Sequence, residues 1–253
     1  MNQLRSSKSD PLLGTITVPG DKSISHRALI MGALSIGESK ISGLLEGEDV
    51  LGTAAALRAM GAEIYKDDDG LWHVHGVGIG GLREPAEPLD MGNSGTGVRL
   101  LMGLVATHPI EVTFTGDHSL SSRPMKRVTD PLSEFGAEFT GNDAGTLPIK
   151  VIGAQSPIPI SYELPVASAQ VKSAVMLAGL NTPGRTTVIE KIPTRDHSER
   201  IFKYFGVPVK IDGDENAGNL HDKLMNIGSK LVLSTVCLIE KGNIETTPQI
   251  ESD

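Results

Sequence analysis

A threefold internal repeat constrains the fold of this chain more than any other feature. Lys22-Ser-Ile-Ser-His-Arg27, Gly95-Thr-Gly-Val-Arg99 and Ser168-Ala-Gln-Val-Lys172 each open with small polar residues, carry one cation and run on into apolar residues at helical spacing. The cations Arg27, Arg99 and Lys172 are spaced 72 and 73 residues apart. A second trio keeps the same period: helical runs ending at Gly61, Gly136 and Gly206, each followed by apolar alternation (Ala62 and Ile64, Ala137 and Phe139, Val207 and Val209). Glycine after a helical run predicts a left-handed helix end, and alternation after it predicts a strand. A supersecondary unit repeated at a fixed period buries its apolar face only against its neighbours, so the three units are expected to form one body.

Each unit reads as strand, helix, strand, helix, strand, strand. In unit one the strands fall over 15–18, 39–44, 63–65 and 72–77, with helices over 24–34 and 50–60. Unit two has strands over 111–115, 138–139 and 148–151 and helices over 96–107 and 124–135, the second with Pro124 at its first position. Unit three has strands over 186–190, 208–211 and 231–239 and helices over 169–180 and 197–205. The expected organisation is a leader over 1–18, a three-unit α/β domain over 19–239 (units about 19–88, 89–162 and 163–239) and a divergent tail over 240–253.

Composition narrows the function. Apolar runs reach only about seven residues, too short to cross a membrane, and Met1–Asp10 holds no signal-like apolar stretch. The single cysteine, Cys237, excludes an internal disulfide and reads as a small core residue. These features point to a cytoplasmic chain. The net charge of −8 argues against non-specific nucleic-acid binding.

The helix starts carry the functional signal. Loops rich in Gly, Ser, Thr or Asp precede each unit's first helix and suit N-terminal capping. A helix N-terminus favours anions, yet Lys22, Arg27, Arg99 and Lys172 are expected in first turns, with Arg123 and Arg195 at two further helix starts. Any one such cation reads as a solvated surface charge. Six recurring at helix starts favour a face for a polyanionic, phosphorylated small molecule. His73 and His75 could share a strand face, with no third metal ligand apparent. His26 reads as a surface residue or a support for its neighbours, Lys66–Gly70 as a turn and Trp72 as core.

Taken together, Gly20-Asp-Lys-Ser-Ile-Ser-His-Arg27, Gly92-Asn-Ser-Gly-Thr-Gly97 with Arg99, Arg123-Pro-Met125, Leu164-Pro-Val-Ala-Ser-Ala-Gln-Val-Lys-Ser173 and Thr194-Arg-Asp-His197 resemble the 5-enolpyruvylshikimate-3-phosphate (EPSP) synthases, in the bacterial subgroup that includes glyphosate-tolerant enzymes. The resemblance spans roughly residues 12–211. It implies one of two similar domains, each of three βαβαββ units, flanking an active-site cleft. It implies transfer of the enolpyruvyl group of phosphoenolpyruvate to the 5-hydroxyl of shikimate 3-phosphate with loss of phosphate, and no metal or organic cofactor. Lys22 then contacts both substrates and stabilises developing charge. Ser23, Arg27, Ser168, Ala169, Gln170 and Arg195 bind shikimate 3-phosphate, and Asn93, Gly95, Thr96, Arg123 and Gln170 lie beside phosphoenolpyruvate. Ala169 stands where other members carry Ser, and Gly95 where some tolerant members carry Ala.

The pattern departs from the family after Gly228–Thr235. The acid/base carboxylates, a further lysine and the arginines that close over phosphoenolpyruvate belong to the family's other domain. The expectation is therefore a half-enzyme or fragment that binds shikimate 3-phosphate weakly and turns over only with a complementing second domain. The alternatives are an inactive binding module and a non-enzymatic repeat protein. The related transferase acting on UDP-N-acetylglucosamine is disfavoured by the 20–27 motif.

Overall fold

The computed structural model describes residues 5–8, 11, 14–16, 18–211 and 244–245. The repeat is visible as two sheets of like order. In the first, β1 (Ile36–Ser42) pairs antiparallel with β3 (Trp72–Val77), which pairs antiparallel with β2 (Glu63–Lys66). In the second, β4 (Leu89–Asp90) lies parallel to β5 (Glu111–Thr115), which pairs antiparallel with β7 (Ile149–Ile152), and β7 with β6 (Glu138–Gly141). The parallel position beside β1 is filled by β10 (Ile244–Glu245). A third, two-stranded sheet joins β8 (Ser161–Glu163) parallel to β9 (Thr187–Ile189).

The helices are α1 (Lys22–Leu34), α2 (Glu48–Ala59), α3 (Gly95–Val105), α4 (His118–Ser121), α5 (Lys126–Ser133), α6 (Ala169–Leu180) and α7 (His197–Tyr204). α1, α3 and α6 are apolar on nearly every face because they form the common core: Ala28–Ile30, Leu100–Met102 and Ala174–Val175 are all buried. A Cβ on Gly103 would stand 2.4 Å from the carbonyl oxygen of Ala174. That glycine lets α3 approach the α6 backbone closely, which brings the two helix starts together. Among the described residues no helix is long and apolar enough to cross a membrane.

Gly61, Gly136 and Gly206 take the left-handed conformation expected of them, with φ of 108°, 101° and 79°. The expected helices form within two residues of their predicted bounds, although α5 does not open on the expected proline. Pro124 is not its first residue; the ladder opens at Met125, whose carbonyl accepts from Val128 and Thr129 and whose own N–H is held by the Gly145 carbonyl. Pro131 sits inside α5 and lacks the donor that would extend the ladder.

Three strand expectations meet a different outcome. Residues 15, 16 and 18 are not strand, and Ile16 and Val18 are exposed with no pairing partner among the described residues. Residues 208–211 are also not strand, although Val207 is buried as the alternation demanded. Alternation selects a face but cannot supply the neighbouring strand that makes the ladder. The strand over 231–239 and Cys237 lie outside the described residues. β4, β8 and α4 are too short to have left a periodic signal.

Candidate active site

The starts of α1, α3 and α6 are capped by side chains. Asp21 accepts from the Ile24 N–H at 2.8 Å, Ser94 from Gly97 at 3.1 Å and Ser168 from Val171 at 3.3 Å. Around all three of these starts, Ser23, Arg27, Thr96, Ala169, Gln170, Arg195 and His197 line one recess. Six of these seven were expected from the sequence to touch a substrate. His197 was quoted in a motif without a role; its place as the first residue of α7, two after Arg195, was the available signal.

Arg27 dominates the recess. It is only 5% exposed, yet no carboxylate among the described residues pairs with it. Its Nε donates to Ser198 Oγ at 2.7 Å, Nη1 to the Ser23 carbonyl at 2.8 Å and Nη2 to Ser173 Oγ at 2.6 Å. Burial, followed by the nearby positive charge of Arg195, pulls its pKa down to about 10. Burial, followed by the positive charge of Arg27, also lowers His197 below the usual histidine range. A buried cation with only neutral acceptors is costly, and an incoming oxyanion would remove that cost.

A second cluster lies beside the first. Arg99 Nη1 donates to the Gly95 carbonyl at 2.8 Å and to Gln170 Oε1 at 3.2 Å, while Gln170 Nε2 donates to Thr96 Oγ1 at 3.0 Å. Gln170 thus ties the start of α6 to the start of α3. Burial first, then Arg123 and Arg127, lowers the Arg99 pKa. Arg123 Nη2 donates to Asn93 Oδ1 at 2.8 Å and to Ser119 Oγ at 3.0 Å, and Asn93 Nδ2 donates to Asp117 Oδ2 at 2.7 Å. A Cβ on Gly95 would come within 2.8 Å of Arg99 Nη1 and 3.1 Å of Arg123 Nη1. The glycine therefore keeps both guanidinium groups close over the loop.

Several expectations are corrected. Arg27 is the sixth residue of α1 and Arg99 the fifth of α3, so neither lies in a first turn. Lys172 is not a free cation: its ammonium, 3% exposed as a residue, is paired with Glu190 at 2.8 Å and Glu199 at 2.6 Å. Lys22 is exposed and pairs with Asp49 at 2.9 Å, across from the start of α2 rather than into the recess. Ser168 spends its oxygen on the α6 cap, leaving its hydroxyl proton to donate. Lys22, Ser168, Asn93, Gly95 and Arg123 are not among the recess-lining residues. His26 is fully buried rather than at the surface, with Nδ1 2.8 Å from Thr53 Oγ1.

His73 and His75 do share a face, and the groups beside them are Glu38 and Asp67. Among the described residues no group of three or more His, Cys, Asp or Glu is arranged to hold a metal. Lys66–Gly70 is the expected turn, with Gly70 at φ 84° and Asp67 accepting from the Leu71 N–H. Trp72 is buried and donates to Glu46.

Comparison with known proteins places this geometry. Residues 6–227 match the family described as EPSP synthase (3-phosphoshikimate 1-carboxyvinyltransferase). The 3-phosphoshikimate 1-carboxyvinyltransferase of Novosphingobium aromaticivorans is 66% identical over 212 residues, 84% of this chain and 48% of that protein. The protein of the same name from Paramagnetospirillum magneticum is 63% identical over 215 residues, 85% of this chain and 48% of that protein. The solved EPSP synthase of Acinetobacter baumannii superposes with a TM-score of 0.76 at 49% identity, covering 79% of this chain and 45% of that one. The chain spans about half the length of the curated relatives it matches.

Proposed function

Because the chain belongs to the EPSP synthase family, we propose that it binds shikimate 3-phosphate in the recess around Arg27 and supplies one half of a 3-phosphoshikimate 1-carboxyvinyltransferase site. The observation that carries this reading is the buried guanidinium of Arg27, flanked by Arg195 and hydrogen-bonded only to neutral acceptors although Glu199 and Asp21 are near. Ser23, Ala169 and Gln170 border the same recess and would orient the substrate. Ala169 contributes backbone only, and Ser168 donates through its hydroxyl.

The Asn93–Arg123 cluster would hold phosphoenolpyruvate. Its guanidinium is already oriented by Asn93 and Ser119, and the close Gly95 backbone admits a small anion. Lys22 would leave Asp49 to meet developing charge between the two substrates. The chemistry of this half is positioning and electrostatic stabilisation. Proton transfer, on the family's pattern, falls to residues of the second domain, so turnover needs that complementing domain. The two small-molecule substrates are the partners, and their soluble, phosphorylated chemistry suits cytoplasmic residence.

Calorimetry with shikimate 3-phosphate tests the binding. Phosphate release from phosphoenolpyruvate, with the other half of a relative added in trans, tests the reaction. Saturable binding with restored phosphate release is expected. Binding without restored release would leave an inactive binding module.

A further inference from the structure

The serines behind Arg27 carry a role that the substrate contacts alone do not explain. Resting on the reading that this recess binds shikimate 3-phosphate, we propose that Ser198 and Ser173 are positioning residues that fix the Arg27 guanidinium, so that its outward edge receives an oxyanion of the substrate. The three residues come from α7, α6 and α1, separated by 171 and 146 positions from Arg27. Both serines are buried, at 2% and 1% exposure.

The hydrogen bonds have a single direction. Ser198 Oγ donates to Ser173 Oγ at 2.7 Å, and Ser173 Oγ donates to the Ala169 carbonyl at 2.5 Å. The carbonyl can only accept, so both hydroxyl protons are committed and both oxygens turn lone pairs to Arg27. With the oxygens 2.7 Å apart, they engage adjacent N–H groups on the Nε and Nη2 side.

A guanidinium has five N–H donors. The Ser23 carbonyl takes a third, on Nη1. One N–H on each of Nη1 and Nη2 is left over, and Arg27 lines the recess. Such a pair matches two oxygens of a carboxylate or a phosphate. Shikimate 3-phosphate has one of each.

The test follows the Arg27 Nε–H of the full chain by NMR while shikimate 3-phosphate, shikimate or inorganic phosphate is added, with calorimetry alongside. The wild-type signal is expected to be protected from exchange and to shift on binding. Ser198→Ala should expose it and weaken shikimate 3-phosphate by about tenfold to about a hundredfold, as for a lost bond to a charged group. Ser198→Thr should restore both, and Ser173→Ala should repeat the loss where Ser198→Ala folds poorly. A shift reproduced by shikimate assigns the carboxylate, and one reproduced by inorganic phosphate assigns the phosphate.

Unchanged affinity in a folded Ser198→Ala or Ser173→Ala chain would overturn the positioning role, as would the absence of any oxyanion effect on Arg27. If shikimate or phosphate shifts Arg27 but shikimate 3-phosphate binds no better than either, the substrate reading fails and the positioning role stands.

Discussion

Arg27 and Lys172 are repeat-related cations on like helices, both nearly fully buried, and they have opposite fates. Lys172 faces two carboxylates, Glu190 and Glu199. Arg27 faces two hydroxyls and a carbonyl. A buried charge met by carboxylates becomes part of the scaffold, whereas one met only by neutral acceptors stays available to an external anion. The repeat therefore fixes where a cation stands, and the neighbours decide whether protein or ligand uses it.

Removing Lys172 is the most severe way to test that contrast. Glu190 Oε1 also accepts from Thr194, and Glu199 Oε2 is buried with no hydrogen-bond partner. Lys172→Met would leave two half-buried carboxylates without a cation, an expected loss of about 3 kcal/mol in urea unfolding, the low end for a broken buried pair. The loop carrying Arg195 should loosen with it, since Thr194 and Glu199 flank that residue. A loss under about 1 kcal/mol, the range of an exposed ion pair, would show that Lys172 is no more structural than Arg27.

The same contrast recurs at two histidines. His26 adjoins Arg27, is fully buried and meets only Thr53, with Nε2 unpartnered. Burial is the main cause that pushes its pKa down to about 4. The unfolded chain takes the proton near 6.5, so between there and about 4 it binds more protons than the folded one, and stability falls as pH falls. The shift amounts to about 3 kcal/mol across that window. Urea unfolding at pH 7 and pH 4 should therefore show a steeper decline for the wild type than for His26→Asn, which keeps a partner for Thr53. Parallel declines would remove His26 from the comparison.

Arg27→Met should separate ligand binding from stability. Loss of bonds between a charged donor and the substrate predicts a drop in shikimate 3-phosphate affinity of about a hundredfold. Folding stability should change by about 1 kcal/mol or less, because Ser198 and Ser173 remain bonded to one another and a desolvated charge is gone. Calorimetry and urea unfolding of the same sample check both. A stability loss as large as that of Lys172→Met would make Arg27 a scaffold cation.

What the sequence disclosed and what it withheld follow the same divide between local and distant. The left-handed glycines at 61, 136 and 206, the polar residues before α1, α3 and α6, and the apolar runs of those helices depend on neighbours within a few positions. All were legible. The carboxylates that neutralise Lys172 and the serines that hold Arg27 arrive from other elements, so a repeat of cations looked like a repeat of ligand contacts. Residues 208–211 show the same limit: their alternation marks a buried side, but a strand needs a partner that no local pattern names. Most of the recess was readable only through resemblance to the family's motifs.

The smallest effect is expected at His73, the histidine counterpart of Lys172. Its Nδ1 lies 2.5 Å from Glu38 and its Nε2 2.8 Å from Asp67, with Tyr65 stacked 4.8 Å away and His75 and Lys40 also beside Glu38. Hydrogen bonds to Asp67 and then Glu38 raise its pKa above the usual histidine value. A raised folded-state pKa gives stability that is fully present below the unfolded value of about 6.5 and is lost as pH climbs through the folded value. His73→Gln can serve both carboxylates only as a neutral group. Its thermal midpoint should lag the wild type more at pH 6 than at pH 9. An equal lag at both would mean that His73 acts by packing against Tyr65 rather than by its charge, and the parallel with Lys172 would not extend to the surface of the first sheet.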